Sequence, residues 1–195
     1  VRPGRREGHA ARALMARTPR TLAGSLLVSH PQLRDDHFRE TVILLHSHDA
    51  KDGALGVIIN RPLGRELGQI DAAVNLAPLE GVPLFEGGPV ATDRLAFGGW
   101  HFPADAEPEV RFGLDQEEAV RLAEDGRFAL RAYVGYAGWS PGQLENELRM
   151  NAWVVCPFDF ACADLEGSDL WKHLLAAHRP DLRLEADSPE DPGLN

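Results

Sequence analysis

The segment from Tyr133 to Leu148, YVGYAGWSPGQLENEL, constrains the fold more than any other part of the sequence. It overlaps an apolar run, residues 128–134, that predicts a buried strand. Three glycines then predict a tight turn, because glycine tolerates backbone conformations that other residues avoid. The next residues are typical of a helix start: Ser140 can cap, Pro141 suits the first helical position, and Gln143 can reach back to the Ser140 N–H. We therefore expect a strand, a turn and a helix N-terminus to meet here, a common setting for a binding site.

The bulk composition is that of an ordinary soluble domain. The chain has 195 residues, of which 44% are hydrophobic and 26% are charged, enough for one domain with a sizeable core. No apolar run in the sequence approaches the roughly 18 residues that a membrane-spanning helix requires. Only two cysteines occur, Cys156 and Cys162, and their spacing matches neither a disulfide framework nor a metal or redox motif. We expect a cytoplasmic protein with two free core thiols and no association with a membrane.

Charge is distributed unevenly along the chain. Residues 1–20 hold six arginines and a single acid, Glu7. Removing them from the 20 basic and 30 acidic residues leaves 14 and 29, so the remaining body carries a charge of −15. An acidic body repels the phosphate backbone, and direct nucleic-acid binding is therefore disfavoured.

Residues 1–20 stand apart from the rest of the sequence and lack apolar periodicity. An arginine-rich, acid-poor composition also fits an organelle transit peptide, whereas Gly24 interrupts the only candidate for a secretory apolar segment. We favour a start codon placed too far upstream, with Val1 from a GTG codon and Met15 as the true beginning; otherwise the segment is a disordered arm. Residues 21–195 are then expected to form a single domain.

The first half of the body is predicted to be mainly strands. Leu22–Ser29 is a first strand, ended by proline. Thr41–His46 and Ala54–Ile59 predict a hairpin, because a glycine-containing loop joins two β-branched runs. Weak apolar periodicity predicts a helix over Glu66–Leu76. Shorter apolar runs predict strands near Leu84–Glu86, Leu95–Phe97 and Val110–Phe112.

Helices alternate with strands in the second half. Asp115–Asp125 is a helix with a capping residue, a glutamate three positions later and Gly126 as its C-terminal cap. Trp153–Cys156 is a strand, and Ser168–His178 is a last helix with leucines and a tryptophan facing inward. The tail from Glu185 to Asn195 is acidic and predicted to be loose. The whole order predicts a mixed α/β (α+β) fold with β-hairpins rather than regular βαβ alternation.

No local motif predicts a metal, a cofactor or a catalytic constellation. His46 and His48 are two residues apart on a strand, which would place both imidazoles on one side and could begin a zinc site. Further ligands at the usual spacing are missing from the sequence around them, so we expect no metal. The glycines at 135, 138 and 142 match neither the dinucleotide fingerprint nor the P-loop, so we expect no cofactor. No serine lies in a nucleophile-elbow motif, and Ser140 is explained as a cap.

Three motifs in order resemble the AlgH/YqgE family of bacterial proteins. These are the run from Leu22 to Leu63, the block FEGGPV from Phe85 to Val90, and GYAGWSPGQLENEL from Gly135 to Leu148. The resemblance implies a single compact domain in which helices pack on a complex, bent, mixed β-sheet. It implies no established activity, although the family carries a label as a transcriptional regulator. Ser47 is a departure, because the family often has an acid before the histidine, and this weakens any acid–histidine pairing in the first hairpin.

The favoured functional hypothesis is a non-catalytic domain that binds a small molecule or another protein and has a regulatory role. Its cleft would be formed by the 87–89 loop and the 135–143 turn, with Asn60 and His48 nearby, because core packing explains these motifs least. The candidate binding residues, which also match the family's motifs, are His48, Asn60, Gly87, Gly88, Pro89, Tyr136, Trp139, Gln143 and Glu147.

Two alternatives stay open. One is a hydrolase- or transferase-like enzyme that uses His48 with Glu147 or Asn60, since these residue types suit acid–base chemistry. The other is a transcriptional regulator that acts through a protein partner rather than by binding DNA directly. The ligand, the partner and the oligomeric state are not specified by the sequence.

Overall fold

The long strand β8 (Ala129–Trp139) is the centre of the fold. The computed structural model describes residues 21–70 and 77–187. Along its first half β8 pairs with β6 (Val90–His101) in antiparallel and with β5 (Pro83–Glu86) in parallel fashion. Beyond Gly135 it pairs with β3 (Gly53–Ile58), and Tyr136 still pairs with Val90 of β6. The predicted tight turn comes later than expected, at Gly142, because pairing with neighbouring strands continues β8 to Trp139 even though Gly135 has φ +70°.

The other strands extend this pairing into one curled sheet. Its order is β4 (Pro62–Glu66), β5, β8, β3, β2 (Val42–Asp49), β1 (Leu26–Ser29) and β9 (Trp153–Cys156). A further strand, β7 (Glu109–Leu114), pairs with β6. The predicted hairpin is confirmed as β2 and β3, and the parallel β5–β8 pair makes the sheet mixed. The predicted mixed α/β (α+β) class with a bent mixed sheet is thus confirmed.

Five α-helices lie in the described residues, together with two short 3-10 turns. The helices are α1 (Gln116–Asp125), α2 (Gln143–Arg149), α3 (Ala161–Asp164), α4 (Gly167–His178) and α5 (Arg183–Ala186). The predicted capping box of α1 is confirmed: Asp115 accepts from the Glu118 N–H at 2.8 Å, and Glu118 accepts in return from the Asp115 N–H at 3.1 Å. Gly126 ends this helix in the left-handed conformation.

One local prediction fails in the part of the chain that the structure describes. The helix expected over Glu66–Leu76 is replaced at its start by the end of β4 and a 3-10 turn at Leu67–Gln69, because pairing with β5 outweighs weak helical periodicity. Residues 71–76 lie outside the described residues, as do residues 188–195 of the tail that was expected to be loose. The tail does begin with a helical turn, α5.

The start of α2 also differs from its prediction. Ser140 and Pro141 precede the helix, whose N-cap is Gly142 at φ +77°, and no side chain caps it. The left-handed glycine turns the chain sharply between β8 and α2, which leaves Ser140 too early to cap. The predicted reach of Gln143 is confirmed, because its side-chain oxygen accepts from the Ser140 N–H at 3.0 Å.

Apolar side chains from alternate strand positions fill both faces of the sheet. On one face α4 buries Leu170, Trp171, Leu174 and Leu175, as predicted. Each large apolar side chain contributes about 1.5–3 kcal/mol on burial. On the other face Leu144 of α2 packs beside Trp139 and Trp153, and a third cluster fixes α1 against β6 and β8.

Candidate functional site

The two glycine motifs meet, but as packed backbone. The Gly87 N–H donates to the Val134 carbonyl at 2.8 Å, and the Gly87 carbonyl accepts from the Ile58 N–H at 2.9 Å. A Cβ at Gly87 would lie 2.2 Å from the Gly135 oxygen, and one at Gly88 would lie 2.3 Å from the Tyr136 carbonyl carbon. Backbone atoms therefore fill the side of both glycines on which a side chain would lie, and no ligand can reach the glycines from that side. Pro89 beside them is exposed.

His48 is held at both ring nitrogens. Its Nδ1 accepts from the Leu22 N–H at 3.1 Å, and its Nε2 lies 2.9 Å from Glu145 Oε1. Since a backbone N–H can only donate, the ring proton belongs on Nε2, which donates to the carboxylate. The pKa of Glu145 is held below its usual value, first by a hydrogen bond from its own backbone N–H and then by His48, with burial opposing both.

The expectation that His46 and His48 share one side is wrong. A β-bulge between Leu45 and Ser47 shifts the register of β2 against β3. His48 consequently contacts α2, whereas His46 packs against Phe112 of β7 at 5.3 Å between ring centroids. Within residues 21–70 and 77–187, no three His, Cys, Asp or Glu side chains form a group that could hold a metal ion.

Three of the candidate binding residues form one hydrogen-bonded network. Glu147 Oε2 accepts from the indole N–H of Trp139 at 2.8 Å and from that of Trp153 at 2.7 Å. Its other oxygen accepts from the Gln143 side chain at 3.0 Å. Both indoles are only 6% exposed, and their rings meet edge to face at 6.0 Å. The carboxylate thus satisfies two buried donors and fastens α2 to the ends of β8 and β9.

Asn60 joins three segments that are distant in sequence. It is 1% exposed, and its Oδ1 accepts from the Val42 N–H at 2.9 Å. Its Nδ2 donates to the carbonyls of Glu40 and Gly167, both at 2.9 Å. The Asn60 carbonyl also accepts from the Gly167 N–H at 2.7 Å. The start of α4 is thereby tied to the ends of β2 and β3.

A cleft of about 420 Å³ opens beside Asn60, and we call it the Asn60 cleft. Its lining residues are Asp36, Arg39, Glu40, Asn60, Arg61, Glu86, Gly167 and Ser168. His48 lies at the other end of the hairpin: it pairs with Ala54, six residues before Asn60, a separation of roughly 20 Å along the strand. Asn60 and His48 are therefore not brought together.

Opposite charges meet in the Asn60 cleft. Arg61 Nη1 lies 3.3 Å from Glu86 Oε1, and Arg61 Nη2 donates to the Arg39 carbonyl at 3.0 Å. The Ser168 hydroxyl donates to a carboxylate oxygen of Glu40. Glu40 has φ +51°, a left-handed conformation that costs a residue with a Cβ about 1–2 kcal/mol and that is concentrated at functional sites. Three carboxylates, two guanidinium groups and no histidine or cysteine line the cleft.

The buried guanidinium of Arg131 is the polar feature that sequence reasoning missed. Its Nη1 donates to the Ile59 carbonyl at 2.8 Å and its Nη2 to the Cys162 carbonyl at 3.1 Å. It lies between the rings of Phe85 and Trp100, at 4.2 and 4.4 Å from their centroids. Burial lowers the pKa of this guanidinium. An arginine inside the apolar run 128–134 was the signal that could have revealed it.

The remaining sequence expectations concern the thiols, the membrane and the other lining residues of the cleft. Cys156 and Cys162 are free and buried as predicted, and burial raises their pKa values to about 11 and about 12. In the described part of the chain, no helix is both long enough and apolar enough to span a membrane. Arg61 and Glu86 were overlooked, although a charged residue close to the end of each of two buried apolar runs was a usable signal: Arg61 follows β3 by three positions, and Glu86 is the last residue of β5.

Comparison with known proteins places the chain in a family. A family model described as AlgH-like matches residues 26–183. A UPF0301 protein of Streptomyces coelicolor is 40% identical over 191 residues, covering 90% of this chain and 96% of that protein. A UPF0301 protein of Pseudomonas fluorescens strain SBW25 is 38% identical over 154 residues, covering 73% of this chain and 80% of that protein.

Two solved structures share the fold. The crystal structure of a Corynebacterium diphtheriae protein has a TM-score of 0.67 at 21% identity, covers 89% of this chain and 95% of that chain, and is similar in fold alone. The solution structure of the AlgH protein from Pseudomonas aeruginosa has a TM-score of 0.62 at 30% identity and covers 90% of this chain and 98% of that chain. These similarities confirm the resemblance carried by the three sequence motifs. The chain belongs to the AlgH-like family.

Proposed function

We propose that this protein is a non-catalytic binding protein of the bacterial cytoplasm that holds a small charged ligand in the Asn60 cleft. The observation that carries the proposal is the buried Asn60 side chain, which holds three chain segments around a cleft of about 420 Å³. That volume falls within the range of small-molecule sites. The left-handed Glu40 at the rim supports the same conclusion, because backbone strain of this kind is retained where the geometry has a use.

The lining of the cleft suits a ligand with both signs of charge. Arg61 can receive an anionic group, and it is already oriented by Glu86 and by the Arg39 carbonyl. The carboxylates of Asp36, Glu40 and Glu86 can receive a cationic group. A small zwitterion such as a free amino acid or a short peptide matches this pattern, whereas a large apolar ligand does not.

Binding at this place offers a route to a regulatory output. The cleft lies where the first residues of α4 meet the sheet, and Asn60 provides hydrogen bonds across that contact. A ligand that contacts both Arg61 and Ser168 would hold α4 more firmly on the sheet. A protein partner that contacts α4 would then bind differently when the ligand is present. Regulation through such a partner is favoured over direct DNA binding, because residues 21–195 carry a charge of −15 and would repel DNA.

The geometry does not favour the enzymatic alternative that uses His48. A general base needs a ring nitrogen facing the substrate, and both nitrogens of His48 are engaged, by Leu22 and by Glu145. Glu147 is engaged by two indoles, and Asn60 lies at the far end of β3. The candidate residues His48, Asn60 and Glu147 thus belong to three separate local networks.

The test is a thermal-shift screen of the full chain against the free L-amino acids and their simplest dipeptides. We expect at least one compound to raise the unfolding temperature of the wild type and to lose that effect in Arg61→Gln and Ser168→Ala. Arg111→Gln is the matched control, because Arg111 is an exposed arginine on β7 outside the cleft. If every compound leaves the wild type unchanged, or if Arg111→Gln removes the effect equally, the proposal fails.

A further inference from the structure

A second polar centre lies inside the core, separate from the Asn60 cleft. Arg131 and Tyr133 are two residues apart on β8 and therefore project from the same face of the sheet. Trp100 of β6 pairs with Ala129 and shares that face, which brings its ring over the guanidinium. Phe85 contacts both Arg131, at 4.2 Å, and Tyr133, at 5.9 Å between centroids. Arg131, Tyr133 and Trp100 are 6%, 0% and 2% exposed. We call these three residues the Arg131 centre.

The Arg131 centre holds donors that lack acceptors. Among the described residues, the Trp100 indole N–H and the Tyr133 hydroxyl have no hydrogen-bond partner. An indole N–H can only donate. An arginine side chain has five N–H donors, and within the described residues Arg131 makes two hydrogen bonds, both to carbonyl oxygens. Leaving a buried donor unpaired costs about 1–3 kcal/mol. What this part of the core lacks is an acceptor.

The centre also carries an uncompensated positive charge. Within the described residues Arg131 forms no ion pair. Glu166 acts on the guanidinium electrostatically, but its carboxylate does not come within 4.0 Å of it. Carbonyl oxygens and aromatic faces stabilise a cation but do not neutralise it. Burial of an ion is strongly unfavourable unless a counter-charge accompanies it. The missing acceptor is thus best supplied by an anion.

We infer that the Arg131 centre is an internal binding site for one small monovalent anion of halide type, held by Arg131 with the Tyr133 hydroxyl and the Trp100 indole N–H. The anion would neutralise the guanidinium and satisfy donors that the protein leaves unpaired. Because Arg131 already bonds to Ile59, directly after β3, and to Cys162 of α3, the bound anion would strengthen a contact among the end of β3, β8 and α3. The stability of the domain would then depend on anion concentration.

The test compares thermal unfolding of the full chain in mixtures of sodium chloride or sodium bromide with sodium gluconate, all at one fixed ionic strength. Above the dissociation constant, each tenfold rise in chloride or bromide is expected to raise the unfolding temperature by about 3–6 °C, and gluconate is too large to replace it. Tyr133→Phe removes one hydroxyl with little change of shape and is expected to weaken this dependence. Arg131→Met is expected to abolish it, and Arg127→Gln, which alters an exposed arginine, is expected to preserve it.

A crystal grown in bromide provides the second readout. We expect an anomalous bromide peak within hydrogen-bond distance of the Arg131 guanidinium. Equal stability of the wild type in chloride and gluconate, together with no anomalous peak in the core, would overturn the inference and assign the unpaired donors to internal water. If Arg131→Met does not fold, Tyr133→Phe and the bromide crystal still decide the question.

Discussion

Removing the carboxylate of Glu147 should destabilise the domain through the two buried indoles that it holds. In Glu147→Ala, the N–H groups of Trp139 and Trp153 lose their acceptor while both side chains remain 6% exposed. An unpaired buried donor costs about 1–3 kcal/mol, so two cost about 2–6 kcal/mol. Glu147 itself is only half-buried, so that water can reach part of the gap. We therefore expect a loss in the lower half of that range, about 2–4 kcal/mol.

Urea unfolding followed by tryptophan fluorescence measures this loss, because two of the four tryptophans of the chain take part in the network. Glu147→Gln keeps an acceptor oxygen and should lose only the advantage of the charge, about 1–2 kcal/mol. Gln143→Ala removes two exposed hydrogen bonds, one to the other oxygen of Glu147 and one from the Ser140 N–H, and should cost about 1 kcal/mol. If Glu147→Ala costs no more than Gln143→Ala, the two indole bonds do not stabilise α2 and the reasoning is wrong.

Three further changes test other contacts. Gly87→Ala should lower the free energy of unfolding, measured with urea, more than Gly126→Ala does. The new Cβ at position 87 would lie 2.2 Å from the Gly135 oxygen, whereas the Cβ at position 126 would meet no atom and only the left-handed backbone would be strained. Equal losses would contradict the close packing of Gly87 against β8. Asn60→Asp should lose about 2–4 kcal/mol in the same assay, because a carboxylate cannot donate to the Glu40 and Gly167 carbonyls. An unchanged midpoint would show that these two hydrogen bonds do not stabilise the fold. The folded pKa of Glu145 is lowered, so its contribution is present above its unfolded pKa of about 4.5 and is lost as the pH falls through the folded value. Glu145→Gln should therefore flatten the stability–pH curve below about pH 4.5, and an unaltered slope would contradict the lowered pKa of Glu145.

Features set by neighbouring residues could be predicted from the sequence. The capping box of α1 and its left-handed Gly126 involve positions within one turn of the helix ends. The β2–β3 hairpin follows from two apolar runs and the loop between them. The inward face of α4 follows from helical periodicity, because that pattern depends only on spacing along one element.

Features set by distant residues could not. The glycines of β8 predict a turn locally, but β3, β5 and β6 supply hydrogen bonds that keep the strand extended. Arg131 finds its two carbonyl partners 72 and 31 residues away. Asn60 and Gly167 are 107 residues apart, so the hydrogen bond between them forms only in the folded chain. The bulge that separates His46 from His48 likewise has no local sequence signal.

The most direct test of the central claim is an amide chemical-shift titration of the labelled full chain with the compound that gives the largest thermal shift. The binding account predicts that the backbone signal of Gly167 and the side-chain amide of Asn60 move together and saturate at one dissociation constant. It also predicts that the indole signals of Trp139 and Trp153 stay in place, because they belong to the Glu147 network on the other face of the sheet. Saturable shifts confined to residues outside the Asn60 cleft, or no saturable shift at all, would contradict the claim.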